Sequence, residues 1–122
     1  MEYTDKTMEH FMCPQNVGSM PDADAIGAYG DPSCGDSLMM FLKVDNNTIK
    51  EIRYLVFGCC AAIASASMTS VLAKGKSLEE AERISGEDVS TALGGLPEMK
   101  EHCSNIGVSA LRNVIKNYKN SK

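Results

Sequence analysis

The clearest pattern along the chain is a period of two. From Ser37 to Asp45, Leu38, Met40, Leu42 and Val44 fall on one side and Ser37, Met39, Phe41 and Lys43 on the other, the alternation of a strand with one buried face. Asp45, Asn46 and Asn47 make a turn, and Thr48 to Phe57 returns with Ile52, Tyr54 and Val56 alternating with Glu51, Arg53 and Leu55. β-Branched and aromatic residues dominate the second run, so the two predict a β-hairpin. Beyond Gly58 the alternation gives way to Ala and Ser, and Cys60 to Lys74 predicts a helix ended by Gly75. Ser77 followed by Glu80 is a capping-box pair opening a short helix that reaches Ile84, and Ser85 with Gly86 separates it from another short segment ending at Gly94 and Gly95. In a last helix, with Pro97 in its first turn, Ile106, Ala110, Leu111, Val114, Ile115 and Tyr118 recur at helical spacing, while Arg112, Asn113, Lys116 and Lys119 lie opposite. Its apolar stripe is expected to pack on the hairpin.

Before the hairpin the signals are weaker. Thr4 to His10 predicts a short, loosely held helix, capped by Thr4 or Asp5 and interrupted by Pro14, Gln15 and Asn16, and residues 1–18 are expected to be mobile. Glycines at 18, 27, 30 and 35 and prolines at 21 and 32 make the next stretch one of turns with at most one short strand. Strands first and helices after predict an α+β fold, an antiparallel sheet with helices packed on one face. A length of 122 residues with 43% hydrophobic content suits one domain spanning 1–122. A chain of this size buries roughly two-thirds of its unfolded surface and folds without disulfides or a structural metal.

Composition narrows the function. A formal charge of -4 with no dense Lys/Arg run argues against a nucleic-acid partner, which needs clustered positive charge. No apolar run approaches the roughly 20 residues that span a bilayer, and Met1 to Lys6 has no apolar signal core, so a soluble, cytoplasmic protein with no membrane partner is expected. Five cysteines, at 13, 34, 59, 60 and 103, are an odd and sparse set, unlike a secreted disulfide framework. In a reducing compartment they act as metal ligands, as sulfur carriers or as small buried hydrophobes.

Three of the five sit at element ends: Cys34 in the turn before the hairpin, Cys59 at the strand-to-helix junction and Cys103 near the start of the last helix. A helix N-terminus stabilises a thiolate, which bears on Cys59 and Cys103. Pro32 restricts the backbone before Cys34 and Gly35 permits positive φ after it, pushing that thiol out of a tight loop. With Asp36 and His102 close by in sequence, the set offers three sulfurs, a carboxylate and an imidazole. That exceeds the four ligands of tetrahedral zinc and suits the paired irons of a small cluster; spacing alone leaves both open. A thiol redox enzyme is disfavoured, since there is no CxxC pair and Cys59 and Cys60 are adjacent. Cys60 reads as a buried structural thiol, Cys13 as a semi-exposed thiol without function, His10 as a solvated histidine and the eight methionines as core filler.

Four stretches carry a resemblance. They are Asn16-Val17-Gly18; Cys34-Gly35-Asp36; Gly58-Cys59 with the Ala61 to Ser67 helix start and Lys74-Gly75-Lys76-Ser77-Leu78 beyond; and Leu96-Pro97, Lys100 and His102-Cys103-Ser104. With these motifs at these spacings the chain resembles the IscU family of iron–sulfur scaffold proteins, related to the N-terminal domain of NifU, over nearly its whole length. The resemblance implies an IscU/SufE-like fold, a three-stranded antiparallel sheet whose short first strand lies between Ser19 and Tyr29. It implies a non-enzymatic scaffold that accepts sulfur from a cysteine desulfurase, builds a 2Fe-2S cluster and transfers it to apo-proteins. Cys34, Asp36, Cys59 and Cys103 are then the cluster ligands, with His102 an alternative metal ligand or exchange partner. Three thiolates and one harder, weakly held carboxylate would keep the cluster transferable. Cys103 is the candidate sulfur acceptor, and Lys100, three residues before it, is placed to lower its pKa across a helical turn.

The implied partners are a pyridoxal-phosphate cysteine desulfurase, apo iron–sulfur recipients, a ferredoxin as electron donor and a frataxin-like protein for iron delivery or regulation. The family's Hsp70 and J-protein recognise Leu-Pro-Pro-Val-Lys. Here Leu96-Pro97-Glu98-Met99-Lys100 departs from it at Glu98 and Met99, so direct transfer without a dedicated Hsp70 is expected. Lacking a long insertion between Cys59 and Cys103, and having His102, the chain is less similar to the SufU branch, where zinc binding and sulfur relay are typical. A zinc-bound, SufU-like sulfur acceptor serving a desulfurase is the competing expectation, and zinc in the cluster-free protein fits both. With no further domain after Lys122 the chain is expected not to be a full-length NifU, and it is a monomer or a dimer sharing one cluster.

Overall fold

The computed structural model describes residues 3–31, 36–96 and 103–120. Three strands, β1 (Ala25–Asp31), β2 (Asp36–Asp45) and β3 (Thr48–Phe57), form an antiparallel sheet in the order β1-β2-β3. The hairpin is the one the alternation predicts, with Leu38, Met40, Leu42, Ile52 and Tyr54 buried on one face. Asn46 and Asn47 join β2 to β3 with φ of 52° and 63°. Two consecutive left-handed residues make the two-residue turn whose twist matches that of the flanking strands, and asparagine tolerates this conformation.

β1 extends further than its glycine-rich sequence suggests, pairing with β2 from Ala25 opposite Leu42 to Asp31 opposite Asp36. Glycine inside a strand weakens it unless another backbone must approach closely. That is the situation at Gly27, where a Cβ would lie 2.6 Å from the Cα of Val114 in the last helix.

Five helices complete the fold: α1 (Asp5–Met12), α2 (Cys60–Ala73), α3 (Leu78–Glu82), α4 (Gly86–Ala92) and α5 (Ser104–Asn120). α5 packs over β1 and β2, and α2 over β3, so the apolar stripe of α5 does not face the β2–β3 hairpin alone; the bare backbone at Gly27 draws it toward the β1 edge. There Asn113 and Asn117, one turn apart, donate to the carbonyl oxygens of Ala28 and Ile26 at 2.9 and 2.8 Å. Backbone acceptors of an edge strand are thereby satisfied from within the chain. Short helices α3 and α4 each open on a complete capping box, Ser77 with Glu80 and Ser85 with Asp88.

α2 is buried almost all round, among α1, the sheet and α5. Small Ala and Ser side chains allow this close approach, and most buried hydroxyls find acceptors: Thr69 Oγ1 donates to the Ser65 carbonyl at 2.7 Å and Ser70 Oγ to that of Ser67 at 2.6 Å. α1, capped by Thr4, packs on α2.

Three local expectations are corrected. His10 is not solvated: it is 8% exposed, and its Nδ1 lies 2.6 Å from Ser67 Oγ, which also accepts from the Gln15 N–H at 2.9 Å. It faces inward because α1 lies against α2, where the Ser67 hydroxyl offers a partner. The methionines divide, with Met20, Met40 and Met68 in the core and Met8, Met12 and Met39 exposed. Cys60 is half-buried, its thiol pKa pushed up by burial and by neighbouring Cys59; at the helix start only part of its side chain is covered.

Buried residues from the sheet and from all helices but α1 share one hydrophobic cluster, in which Tyr54, Met40, Leu42, Leu111 and Ile115 are large members. The other sheet face carries Met39, Leu55 and Phe57, exposed by 42%, 45% and 75%, and among the described residues no helix covers it. No helix among these residues is long and apolar enough to cross a membrane.

Candidate metal centre

Three of the expected ligand residues meet at one end of the sheet. Asp36 is the first residue of β2, Cys59 is the N-cap of α2, and Cys103 immediately precedes α5. Strand pairing sets the first two near each other, because Ser37 is opposite Phe57 and the chain turns at Gly58 into α2. Cys103 is brought in by the seating of α5 on α2: at Gly107, one turn into α5, a Cβ would lie 2.6 Å from Thr69 Oγ1. Only a residue without a side chain lets the two helices approach this closely.

One donor atom from each of Asp36, Cys59 and Cys103 lies within 4.8 Å of the other two. The two Sγ atoms are 3.8 Å apart, and Asp36 Oδ2 is 4.0 Å from Cys59 Sγ and 3.8 Å from Cys103 Sγ. The carboxylate is divided in its contacts, since Oδ1 accepts the Cys59 backbone N–H at 3.3 Å. Asp36 is 4% exposed and Cys103 wholly buried, while Cys59 is half-buried. The carboxylate thus lies at the N-terminal end of α2, where the Cys59 N–H has no partner within the helix.

This donor set fits a soft or borderline metal. At a metal–sulfur distance of about 2.3 Å, tetrahedral geometry puts two sulfurs about 3.8 Å apart, which is the separation of the two thiols. The longer sulfur–oxygen separations need to shorten by only a few tenths of an ångström, about the adjustment of one side-chain torsion. Both thiols must lose their protons on metal binding.

Cys34, Lys100 and His102, together with Pro97, Glu98 and Met99, lie outside the described residues. Of the other cysteines, Cys13 is exposed on the loop after α1, and Cys60 is not in the donor group. Gly58 stands in the Gly58-Cys59 motif for a reason that the sequence did not express: it lies against the Asp36 carboxyl group.

Comparison with known proteins agrees in fold and in sequence. Residues 2–122 match the family model described as NifU-like N terminal domain. The chain is 49% identical over 122 residues to iron-sulfur cluster assembly scaffold protein IscU 1 of Archaeoglobus fulgidus, covering 98% of this chain and 80% of that one. It is 41% identical to the IscU scaffold protein of Aquifex aeolicus, with 96% and 76% covered. A crystal structure of the N-terminal part of a NifU-like protein from Brucella abortus superimposes with a TM-score of 0.78 at 17% identity, covering 98% of this chain and 95% of that one, which bears on the fold alone. Chain-long identity of this order, the matched family model and the shared sheet-and-helix architecture leave one assignment: the chain belongs to the NifU-like N-terminal domain family of IscU-type scaffolds, which are not enzymes.

Proposed function

We propose that this protein is a scaffold on which a 2Fe-2S cluster is assembled and from which it is transferred to apo-proteins, with Cys34, Asp36, Cys59 and Cys103 as cluster ligands and His102 as the alternative ligand to Asp36. The observation that supports this most is the convergence of Asp36, Cys59 and Cys103, from three separate elements, to within 4.8 Å. Their chemistry matches the task. Thiolates hold iron firmly, and a carboxylate is a harder ligand that soft metal centres hold less tightly. A mixed set retains a cluster long enough to complete it and yields it to an all-cysteine acceptor.

Sulfur arrives as the terminal sulfur of a desulfurase persulfide. A thiolate of the scaffold attacks that sulfur, the S–S bond to the donor breaks, and the donor leaves as a thiolate. Cys103 is the acceptor in this reading, assisted by Lys100. Electrons for reducing persulfide sulfur to sulfide come from a ferredoxin-type donor, and a frataxin-like protein serves iron supply or regulation. The reaction belongs in a reducing, cytoplasmic compartment. The Leu96 to Lys100 segment, with Glu98 and Met99, points to transfer without a dedicated Hsp70.

One observation also admits a second reading. The 3.8 Å separation of the Cys59 and Cys103 sulfurs is that of two thiolates on one tetrahedral ion, be it one iron of a cluster or the zinc of a sulfur acceptor. Anaerobic incubation with iron, cysteine, a desulfurase and dithiothreitol as the electron source, followed by addition of apo-ferredoxin, separates the two. A scaffold develops the visible absorption of a 2Fe-2S cluster and then loses it to the ferredoxin. A colourless protein that retains zinc and only accepts sulfur is the outcome that replaces the scaffold reading with the second one.

A further inference from the structure

Asp36 approaches the two thiols beside a position, Gly58, that has no side chain. A Cβ built on Gly58 falls inside contact distance of Asp36 Oδ1, 2.9 Å from Asp36 Cγ and 3.0 Å from the Ala62 Cβ. Gly58 does not have a positive φ, so backbone conformation does not call for glycine here; the space does. The carboxylate in that space is held by Oδ1, which accepts the Cys59 N–H at 3.3 Å, while Oδ2 is turned toward Cys59 Sγ and Cys103 Sγ at 4.0 and 3.8 Å. With one oxygen committed to the backbone, Asp36 has one to offer a metal.

We propose that Gly58 is a positioning residue for the metal centre, its missing Cβ forming the slot that holds the Asp36 carboxylate with Oδ2 directed at the two thiols as a one-oxygen ligand. The proposal rests on reading Asp36, Cys59 and Cys103 as a metal site. Gly58→Ala fills the slot with a methyl group that cannot coexist with the carboxylate in this rotamer. Either Asp36 rotates away from the thiols or the β3–α2 junction shifts and takes Cys59 with it. The Cys59 N–H then loses its acceptor and the centre loses its oxygen ligand.

The test is a double-mutant cycle with cobalt(II) as the probe, under anaerobic conditions, on the wild-type chain, Gly58→Ala, Asp36→Ala and the double variant. Cobalt reports ligand identity through its visible bands, independently of cluster assembly. Gly58→Ala is expected to bind cobalt about 10- to 100-fold more weakly, the usual cost of losing a group that orients a ligand, and to show the bands of Asp36→Ala. The double variant should bind within about twofold of Asp36→Ala alone, because both changes remove the same ligand. Thermal melting gives a metal-free arm: Gly58→Ala lowers the midpoint in the wild-type background and by clearly less with Asp36→Ala, where the slot is empty and only Ala62 must yield.

Wild-type cobalt affinity and bands in Gly58→Ala overturn the proposal, as does an equal loss of melting midpoint in both backgrounds, which marks a purely structural glycine. If Gly58→Ala does not fold while the double variant does, the steric coupling to Asp36 is upheld; if neither folds and Asp36→Ala does, it is refuted. Should Asp36→Ala itself bind cobalt as wild type does, the reading of Asp36 as a ligand fails, and the melting comparison still decides the relation between Gly58 and Asp36.

Discussion

The behaviour of the candidate centre at the scale of single residues turns on Asp36, a buried carboxylate beside the buried Cys103 and the half-buried Cys59. On the proposed assignment Asp36→Ala removes the weakly held oxygen ligand, so transfer of an assembled cluster to apo-ferredoxin is expected to slow by about tenfold, equivalent to about 1.4 kcal/mol in the barrier. Stopped-flow transfer kinetics measure this, and an unchanged rate would remove Asp36 from the release step. His10 yields a second prediction, unrelated to the metal. Its imidazole lies against Ser67 at 2.6 Å, and burial lowers its pKa from the ordinary 6.5, with Glu9 opposing and Lys6 reinforcing that shift. Between the folded and unfolded values the unfolded chain binds more protons, so stability falls with falling pH. The contribution is fully present above pH 6.5, is lost as the pH drops below it and levels off beneath the folded-state pKa. Melting midpoints measured through this window should fall in the wild type and run flatter in His10→Gln. Tyr54 adds nothing there: its hydroxyl is buried without a well-formed hydrogen bond, and burial, against a smaller opposing effect of Ser67, pushes its pKa up to about 12.

At the scale of elements, the site depends on how closely α5 lies on α2. Gly107→Ala sets a Cβ 2.6 Å from Thr69 Oγ1, overpacking a contact that has no room. The expected cost is about 1–3 kcal/mol in denaturant unfolding, accompanied by weaker metal binding as Cys103 moves from Cys59; a variant as stable and as tightly binding as wild type would show that this contact does not set the site. β2 and β3 were legible because a two-residue period with a buried face and an Asn46-Asn47 turn has few other solutions. The N-cap Ser77, bonded to its N3 residue Glu80, is equally legible, whereas Ser85, which reads only as a break between two short segments, proves to cap α4 with Asp88 in the same way. β1 was poorly legible because Gly27 and Gly30 read locally as turn residues, whereas a tertiary demand, the approach of Val114, is what Gly27 serves. The burial of His10 is hidden in the sequence for a related reason. A lone histidine in a short polar helix has no local signature of burial, and its partner Ser67 is 57 residues away. For the centre, Cys59 and Cys103 stood out as helix-start thiols, but their meeting with Asp36 came from resemblance, since cysteine spacing alone allowed zinc, a cluster or no site.

For the whole molecule, ligand binding and folding are linked. The centre joins the start of β2, the start of α2 and the start of α5, so a metal bound there clamps the sheet to both of its covering helices. Any ligand that binds the folded form stabilises it, by about 2.7 kcal/mol when present at 100 times its dissociation constant. In a domain of this size that corresponds to a rise in melting midpoint of several degrees, roughly 5–15 °C. Zinc is expected to produce this shift, a chelator to reverse it, and Cys59→Ala or Cys103→Ala to abolish it. An identical zinc-induced shift in both cysteine variants would place the metal elsewhere.

The central claim is that this centre builds a cluster instead of holding a lone ion, and acid-labile sulfide tests it most directly. After anaerobic reconstitution with iron, cysteine, a cysteine desulfurase and dithiothreitol to reduce persulfide sulfur to sulfide, and removal of unbound reagents, wild-type protein should carry iron and sulfide in equal amounts. Cys59→Ala and Cys103→Ala should carry little of either. Wild-type protein that emerges with a bound metal and no labile sulfide would contradict the scaffold account.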